Sequence, residues 1–317
     1  MMNQNFVNEL YKIAGETNIR SQESMAKHTT FRIGGPVPFF VTPETVEELG
    51  QLVLLCKAEK VPFFILGHGS NLLVGDDGMD GIVIQLCDKF AHLEITGRRV
   101  TAQAGVMLSK LGQVLKEAQL TGFEFAAGIP GTLGGAVVMN AGAYGGEIKD
   151  VIELVQLMDS DGNLLQKTGE EMQFSYRHSI VEEQGYIVLG ATLVLEQGEK
   201  RQIEARMEEL AQARRSKQPL EFPSAGSTFK RPEGYYAGKL IMDAGLRGYQ
   251  VGGAQVAEKH CGFVINRGDA TAADVAQLMS EVCTRVYEQF KVELEPEVKL
   301  VGKPKLSISG RKAEEKA

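Results

Sequence analysis

Short apolar runs alternate with a helical stripe in the first part of the chain. Residues 37–41 form an apolar run after a Gly-Gly-Pro break and predict a strand. A helix is predicted next, because Thr42 can cap its N-terminus and Pro43 suits its first turn. Its apolar stripe consists of Val46, Leu49, Val53 and Cys56. Residues 61–66 and 81–86 are two further apolar runs, and each predicts a buried strand.

The rest of the chain shows three more helical stripes. The first consists of Leu108, Leu111, Leu115 and Ala118, and the second begins near residue 200 with Ile203, Met207, Leu210 and Ala213. Residues 186–195 lie between these two stripes, and their alternating pattern predicts a strand. Thr271 and Asp274 form a capping-box pattern ahead of the stripe Val275, Leu278, Val282 and Val286. An apolar strand is expected near Val298.

Changes in this pattern predict the domain organisation. We expect a first subdomain over residues 1–90, a second over 91–200 and a separate domain over 201–303. Residues 304–317 carry few large apolar groups and predict a flexible tail.

Composition and charge narrow the class of protein. The 317 residues are 43% hydrophobic and 24% charged, which predicts a well-packed globular chain. A net charge of −7 argues against general nucleic-acid binding, which needs a basic face. No exposed apolar stripe is obvious, and therefore the sequence assigns no oligomeric state.

Cysteine usage and the N-terminus predict a cytoplasmic location. The four cysteines are irregularly spaced and form no CxxC pair, which favours a reducing compartment. The N-terminus lacks the basic and apolar regions of a signal peptide, and no apolar run approaches the roughly 18 residues of a membrane span. The five histidines show no ligand spacing, and no metal site is expected.

The segment Gly67-His68-Gly69-Ser70-Asn71 follows a predicted strand. Exposed amides in such a loop can hold a pyrophosphate, and glycine lets the phosphate approach closely. It is not a dinucleotide-binding fingerprint of the Rossmann type, because Leu72 stands at the sixth position and residues 72–74 predict extended chain. An ordinary strand-end turn is the alternative interpretation.

A second loop carries seven glycines between residues 128 and 146. Such density costs conformational entropy, and a backbone reason for it is therefore expected. A short helix from Leu133 is predicted, and its N-terminus could face a phosphate. The alternative is a tightly packed structural crossover.

Three side chains are candidates for chemistry. Arg177 lies among aromatic and hydroxyl groups in FSYRHS, where a guanidinium can grip a carboxylate with two hydrogen bonds. Ser227 lies in PSAGSTFKRP, outside any GxSxG elbow, and its hydroxyl could protonate a carbanion-like centre. Glu297 in LEPEV could transfer a proton if its pKa were raised. The alternatives are a surface salt bridge for the arginine, a turn or cap for the serine and a surface acid for the glutamate.

A local basic cluster stands out in this acidic chain. Only Glu221 and Glu233 oppose its charges, and such a cluster suits phosphate groups. A solvated helix end is the alternative. The cluster consists of Arg214, Arg215, Lys217, Lys230, Arg231 and Lys239.

Together these segments resemble the UDP-N-acetylenolpyruvoylglucosamine reductase (MurB) family. The resemblance runs from about His28 to Val301, with seven motifs in order. They are HTTFRIGG, GHGSNLLV, GIPGTLGGAVVMNAGAYGGE, FSYRHS, PSAGSTFKRP, GLRG followed by VGGAQVAEKHCGFVIN, and LEPEV.

The resemblance implies a fold and a reaction. The fold would be α+β: a vanillyl-alcohol-oxidase-like (PCMH-like) FAD-binding fold in two subdomains, with a separate α+β substrate domain. FAD would be bound non-covalently, and NADPH would be the hydride donor. The small-molecule substrate would be UDP-N-acetylenolpyruvoylglucosamine, with hydride added at C3 of its enol ether and a proton at C2.

The resemblance also implies roles for individual residues. Ser227 would donate the proton, and Arg177 and Glu297 would bind and polarise the substrate carboxylate. Candidates for the diphosphate or the NADPH phosphates are Tyr144, Lys217, Arg231 and Lys239. The residues expected to contact FAD are Arg32, Gly67, His68, Gly69, Ser70, Asn71, Gly128, Ile129, Pro130, Gly131, Thr132, Gly134 and Gly135.

The chain departs from part of the family. The segment between Arg177 and Ser227 is too short for the tyrosine-bearing loop of some members, and predicts the shorter type. Arg231 stands where the longer type often has asparagine. Two other functions stay open: another FAD oxidoreductase of this fold acting on a hydroxy acid or sugar, or a non-enzymatic nucleotide-binding protein, which would be colourless when purified.

Overall fold

The computed structural model describes residues 2–308, which divide into two compact units. The first unit comprises residues 2–21, 38–68 and 81–214, and the second comprises residues 22–37, 69–80 and 215–308. The helices are α1 (Gln4–Ala14), α2 (Val46–Ala58), α3 (Leu108–Glu117), α4 (Leu133–Val138), α5 (Val181–Gln184), α6 (Lys200–Lys217), α7 (Ala237–Asp243) and α8 (Ala272–Phe290).

The strands are short, and most lie in small sheets. Their bounds are β1 (Ile19–Ser24), β2 (Pro36–Val41), β3 (Phe63–Leu66), β4 (Leu72–Val74), β5 (Ile82–Gln85), β6 (Leu93–Thr96), β7 (Arg99–Gln103), β8 (Leu120–Thr121), β9 (Gly142–Ala143), β10 (Gly146–Glu147), β11 (Ile152–Met158), β12 (Leu164–Thr168), β13 (Ile187–Val194), β14 (Glu196–Gln197), β15 (Gln250–Val251), β16 (Ala254–Val256), β17 (Val264–Asn266) and β18 (Lys299–Val301).

The first unit contains a four-stranded and a five-stranded sheet. In the order β1-β2-β5-β3, strand β5 pairs in parallel with β2 and with β3. The second sheet has the order β12-β11-β13-β7-β6, with antiparallel pairing throughout. Strand β13 is buried along nearly its whole length, so the alternation expected for residues 186–195 is not found in its burial. The predicted strands at residues 37–41, 61–66, 81–86 and 186–195 are confirmed.

Helix α2 begins three residues later than its sequence suggests. The prediction of Thr42 as its cap is wrong, because the Thr45 side chain accepts a hydrogen bond from the Glu48 amide. The Glu48 carboxylate in turn accepts one from the Glu44 amide, 2.8 Å away. Thr45 and Glu48 thus satisfy amides that helical bonds leave unpaired, whereas Thr42 precedes the helix.

The second unit packs a three-stranded antiparallel sheet, β15-β16-β17, with helix α8. The predicted capping box of α8 is confirmed, since Thr271 and Asp274 bond each other's backbone amides. Asp76 adds two further bonds, to the amides of Ala272 and Ala273. Strand β18 pairs in parallel with β4, as the predicted strand near Val298 requires.

The predicted boundaries at residues 90 and 200 stay a prediction, because each unit is assembled from separated stretches of chain. Of the predicted tail, Leu306 and Ile308 pack against the core of the second unit, while residues 309–317 lie outside the described residues. No helix between residues 2 and 308 is both long enough and apolar enough to cross a membrane. The four cysteines are free thiols.

Candidate active site

Two predicted cofactor segments touch each other within the first unit. Gly67 follows β3, and Thr132 lies at the N-terminus of α4. A Cβ on Gly67 would lie 2.4 Å from Oγ1 of Thr132, which is closer than real Cβ atoms come to other atoms. Gly67 is therefore glycine because the Thr132 side chain packs against its Cα.

This region offers unpaired backbone amides. In the part of the chain that the structure describes, no hydrogen bond engages the amides of Gly67, His68, Gly128, Gly131 or Thr132. Such amides can bind phosphate oxygens. They are candidate anion-binding groups of the first unit.

The N-terminus of α4 does not add to this set, contrary to the expectation from its sequence. The amides of Leu133 and Gly134 each lie 2.8 Å from a carbonyl oxygen that accepts their hydrogen bond, those of Val106 and Ala104. Oγ1 of Thr132 caps the Gly135 amide. The helix end is thus satisfied internally, and the loop before it provides the free donors.

The glycines of the second loop serve two different purposes. A Cβ on Gly134 would lie 2.8 Å from Cβ of Ala104, so close packing requires glycine there. A Cβ on Gly128 or Gly135 would meet only ordinary contacts, at 3.6 and 3.7 Å. Packing within the chain does not demand glycine at these two positions. Ile129 is half-buried and Pro130 is exposed in the same loop.

Arg214 anchors this loop. Its guanidinium donates a hydrogen bond to the carbonyl of Gly128. Burial lowers the pKa of Arg214, and its electrostatic interaction with Tyr144 opposes that shift. The sequence places Arg214 in the basic cluster but not at the loop. The sequence did contain a signal for this position. Arg214 lies four residues after Leu210, and it therefore places a charge on the apolar face of the helix.

Tyr144 and Arg177 lie on two neighbouring turns. Tyr144 and Gly145 connect β9 to β10, and both have positive φ, 52° and 91°, as a type I′ hairpin requires. Arg177 has a φ of 57° in the tight turn that joins Ser175 to His178. Its Nη2 donates to the carbonyl of Gly142 at 3.3 Å, at the base of the Tyr144 hairpin. The structure therefore brings these two predicted residues together.

The Arg177 backbone is strained, as functional residues often are. Its guanidinium also packs on the ring of Tyr176, 4.9 Å from the ring centroid. Tyr144 is 43% exposed, and Arg177 is half-exposed. Both side chains can thus reach a ligand.

The segments that carry Ser227 and Glu297 pair with each other in the second unit. Phe229 forms an antiparallel bridge with Pro296, and the Glu297 amide donates to the carbonyl of Thr228 at 2.9 Å. The buried Thr228 also accepts a hydrogen bond from the Val264 amide, 2.8 Å away. These bonds hold the serine loop alongside the acidic segment.

The remaining residues of the first glycine-rich loop support this arrangement. The Asn71 side chain donates to the carbonyl of Glu297 at 3.1 Å, so that Asn71 positions the predicted acid. A Cβ on Gly69, whose φ is 69°, would lie 2.0 Å from the carbonyl oxygen of His28. Ser70 is half-buried between them. Gly69 and Asn71 therefore have structural roles within the second unit.

His28 belongs to a small polar group behind Gly69. Its Nε2 lies 2.9 Å from Oε1 of Glu23. Burial opposes ionisation of Glu23, but hydrogen bonds with His28 and Lys27 prevail and lower its pKa. Thr30 donates to the carbonyl of Ser224 at 2.7 Å, which joins the HTTFRIGG and PSAGSTFKRP segments.

Comparisons with known proteins identify the family of this chain. A family model described as UDP-N-acetylenolpyruvoylglucosamine reductase, C-terminal domain, matches residues 218–301, and an FAD binding domain model matches residues 37–167. A Clostridioides difficile (strain 630) protein named UDP-N-acetylenolpyruvoylglucosamine reductase is 51% identical over 95% of this chain and 99% of its own length. The chain belongs to the UDP-N-acetylenolpyruvoylglucosamine reductase family.

Two further relatives extend the evidence for this family. A reductase of the same name from Lachnoclostridium phytofermentans is 52% identical over 95% of this chain and 98% of its own length. The crystal structure of the enzyme from Thermus caldophilus matches with a TM-score of 0.77 and 38% identity, over 89% of this chain and 99% of that chain. The predicted α+β flavin-binding fold is confirmed.

Of the candidate phosphate ligands, Tyr144 lies in the first unit, and Lys217, Arg231 and Lys239 lie in the second. Lys217 ends α6 with an exposed side chain that has no ion-pair partner among the described residues. Arg231 stacks on the ring of Tyr236 at 4.5 Å, and Lys239 forms an ion pair with Asp243 at 2.6 Å. Arg32 is exposed, with a φ of 56°. Their predicted roles stay predictions.

The Gly67–Thr132 contact can be tested directly. Gly67→Ala should destabilise the flavin-free protein by about 1–3 kcal/mol, because the new methyl group collides with Oγ1 of Thr132. Adding Thr132→Ala should recover most of that loss, since it removes the colliding atom at a cost of about 1 kcal/mol for the lost cap. Urea unfolding midpoints provide the measurement.

Gly50→Ala is the matched control, because its Cβ in α2 would meet only the Met158 methyl group at 3.4 Å. It should not destabilise the protein. Strictly additive effects of Gly67→Ala and Thr132→Ala would contradict the contact.

Proposed function

We propose that this chain reduces UDP-N-acetylenolpyruvoylglucosamine to UDP-N-acetylmuramate, with NADPH as hydride donor and non-covalent FAD, in peptidoglycan precursor synthesis. The observation that carries the proposal is the similarity to reductases of this name over 95% of the chain, with all seven motifs included. The irregular spacing of the four cysteines and their free thiols support a cytoplasmic location.

The residues of the first unit fit FAD. Free amides at Gly128, Gly131 and Thr132 suit a pyrophosphate, and Arg214 adds a positive charge beside them. Bound FAD would accept hydride from NADPH and deliver it to the substrate. The protein supplies the binding groups, their orientation and the surrounding charge.

The proposed reaction adds hydride to C3 and a proton to C2 of the enol ether, which becomes a saturated ether. Arg177 would bind the substrate carboxylate with charge-assisted hydrogen bonds. It would thereby stabilise the negative charge that develops as C2 becomes carbanion-like. Glu297 would assist at the same carboxylate. The Ser227 hydroxyl would donate the proton to C2, because such a centre is far more basic than an alkoxide.

The diphosphate of the substrate and the phosphates of NADPH need cations. Lys217 carries an exposed charge that pairs with no acid between residues 2 and 308, and Arg231 presents a guanidinium stacked on an exposed tyrosine. Lys239 would have to exchange its bond to Asp243 for a phosphate. Tyr144, which is 43% exposed, would be a further contact of these phosphates.

An anaerobic absorbance titration of the purified holoenzyme tests the proposal. The flavin bands should bleach with NADPH and return when UDP-N-acetylenolpyruvoylglucosamine is added. Bleaching without return would exclude this substrate and leave another flavin oxidoreductase. Absence of a flavin band after incubation with FAD would overturn the cofactor as well.

Arg214 provides a second test, directed at the cofactor alone. Arg214→Ala should weaken FAD binding about 10- to 100-fold, the scale of one lost charged hydrogen bond. Fluorescence titration of the flavin-free protein with FAD measures this. Arg206→Ala is the matched control, because that side chain contacts Glu209 on an exposed face of the same helix. Equal affinities of the two variants would exclude a role for Arg214.

A further inference from the structure

A buried asparagine lies beside the Arg177 turn. Asn140 follows α4 and is 0% exposed. Its Nδ2 donates to Oε2 of Glu147 and to the carbonyl of Ser175, each at 3.0 Å. Its Oδ1 accepts from the Lys149 amide at 3.0 Å. A buried amide group satisfied in this way fixes its partners, because breaking one bond leaves a polar group unpaired.

The hydrogen bond from Asn140 to the Ser175 carbonyl supports the backbone of Arg177. The Ser175 carbonyl also accepts the His178 amide at 3.2 Å, and that bond closes the turn. Asn140 therefore holds the first residue of the turn in which Arg177 adopts its φ of 57°. Arginine rarely adopts this conformation, and it persists only where surrounding bonds impose it.

The hydrogen bond from Asn140 to Glu147 supports the guanidinium of Arg177. Glu147 lies in β10, opposite Gly142 in β9, and the Gly142 carbonyl accepts from Nη2 of Arg177. The hydrogen bond from Lys149, the bond from Asn140 and the charge of Arg177 lower the pKa of Glu147, while burial opposes them. Glu147 is thus a carboxylate that keeps its bond to Asn140. The backbone turn and the guanidinium of Arg177 are therefore both connected to the side-chain amide of Asn140.

We propose that Asn140 is a positioning residue that fixes Arg177 in the orientation that binds the substrate carboxylate. This inference rests on the proposed function of Arg177. Asn140 itself is buried and acts through the two turns that it joins. The role is therefore distinct from substrate binding, cofactor binding and proton transfer.

The test uses the FAD-loaded protein and separates the two half-reactions. Asn140→Ser should leave flavin content and the rate of flavin reduction by NADPH unchanged. It should slow reoxidation by UDP-N-acetylenolpyruvoylglucosamine about 10- to 100-fold, the scale of a small misplacement of a binding group. In an Arg177→Lys background, Asn140→Ser should slow reoxidation little further, because both substitutions disrupt the same interaction with the substrate carboxylate.

Hydrogen exchange gives a readout that needs no substrate. The His178 amide should exchange faster in Asn140→Ser than in the wild type. Asn163→Ser is the matched control, because Asn163 is an exposed asparagine of the first unit that bonds Asp159. It should change neither the exchange nor the half-reactions.

Three results would overturn the proposal. They are unchanged exchange at His178, a full additive loss in the Arg177→Lys background, and loss of flavin from both Asn140→Ser and the isosteric Asn140→Asp. A wild-type enzyme that is not reoxidised by this substrate would instead contradict the proposed function, while the exchange measurement would still decide whether Asn140 orders the Arg177 turn.

Discussion

Ser227→Ala should keep bound FAD and its reduction by NADPH, yet slow the substrate-dependent reoxidation by about 10²- to 10⁴-fold, the scale of positioned acid catalysis. The loss is confined to one half-reaction because only that step requires a proton at C2. The substitution removes one oxygen and leaves the backbone bonds of Thr228 that hold the loop. Anaerobic stopped-flow absorbance, with NADPH and substrate added in turn, measures both rates.

Ser224→Ala is the matched control for this variant. Ser224 lies in the same loop, and its carbonyl, not its side chain, accepts the bond from Thr30. We expect wild-type rates for it in both half-reactions. Reoxidation of Ser227→Ala at the wild-type rate would remove Ser227 from the mechanism, and Asn71 and Glu297 would become the nearest groups to examine.

Arg177→Met should slow the same half-reaction by about 10²- to 10³-fold, the cost of losing one preorganised donor to developing negative charge. Unlike Ser227→Ala, it should also raise the substrate concentration needed for half-maximal rate, because Arg177 would bind the carboxylate in the ground state as well. Arg177→Lys should recover only part of the rate, since an ammonium cannot reproduce the planar pair of hydrogen bonds. Reoxidation rates measured as a function of substrate concentration separate the two effects.

Arg98→Met is the matched control for this second variant. Arg98 lies in the same unit and forms an exposed ion pair with Glu196. Its replacement should alter neither half-reaction, because exposed ion pairs contribute little. Full recovery by Arg177→Lys would contradict the paired geometry, and an unchanged Arg177→Met would contradict any role at the carboxylate.

The sequence predicted the local elements well where a pattern is carried within one segment. The α8 capping box depends on two residues three positions apart, and it is confirmed. The cap of α2 was misplaced because Thr42 and Thr45 are both acceptable caps by type. The choice between them depends on Glu48, whose carboxylate bonds the Glu44 amide.

The candidate site was only partly visible in the sequence. Arg177, Ser227 and Glu297 could be named because their residue types and motifs resemble a known family. The supporting residues could not. Asn140 carries no chemical signature on its own, and Arg214 looked like one of six cations near a helix end.

By itself, the sequence determined the apolar periodicity, the glycine density and the order of motifs, and the resemblance of those motifs to a known family was sufficient for the fold class and the family. Tertiary structure alone decided which glycines pack tightly against the chain and which have room for a Cβ, as Gly134 and Gly128 show. It also decided that Asn140 joins the Arg177 turn to the β9–β10 hairpin. The physical reason is the same in each case: periodicity reports which face of an element is buried, whereas these roles depend on atoms that folding brings together from distant parts of the chain.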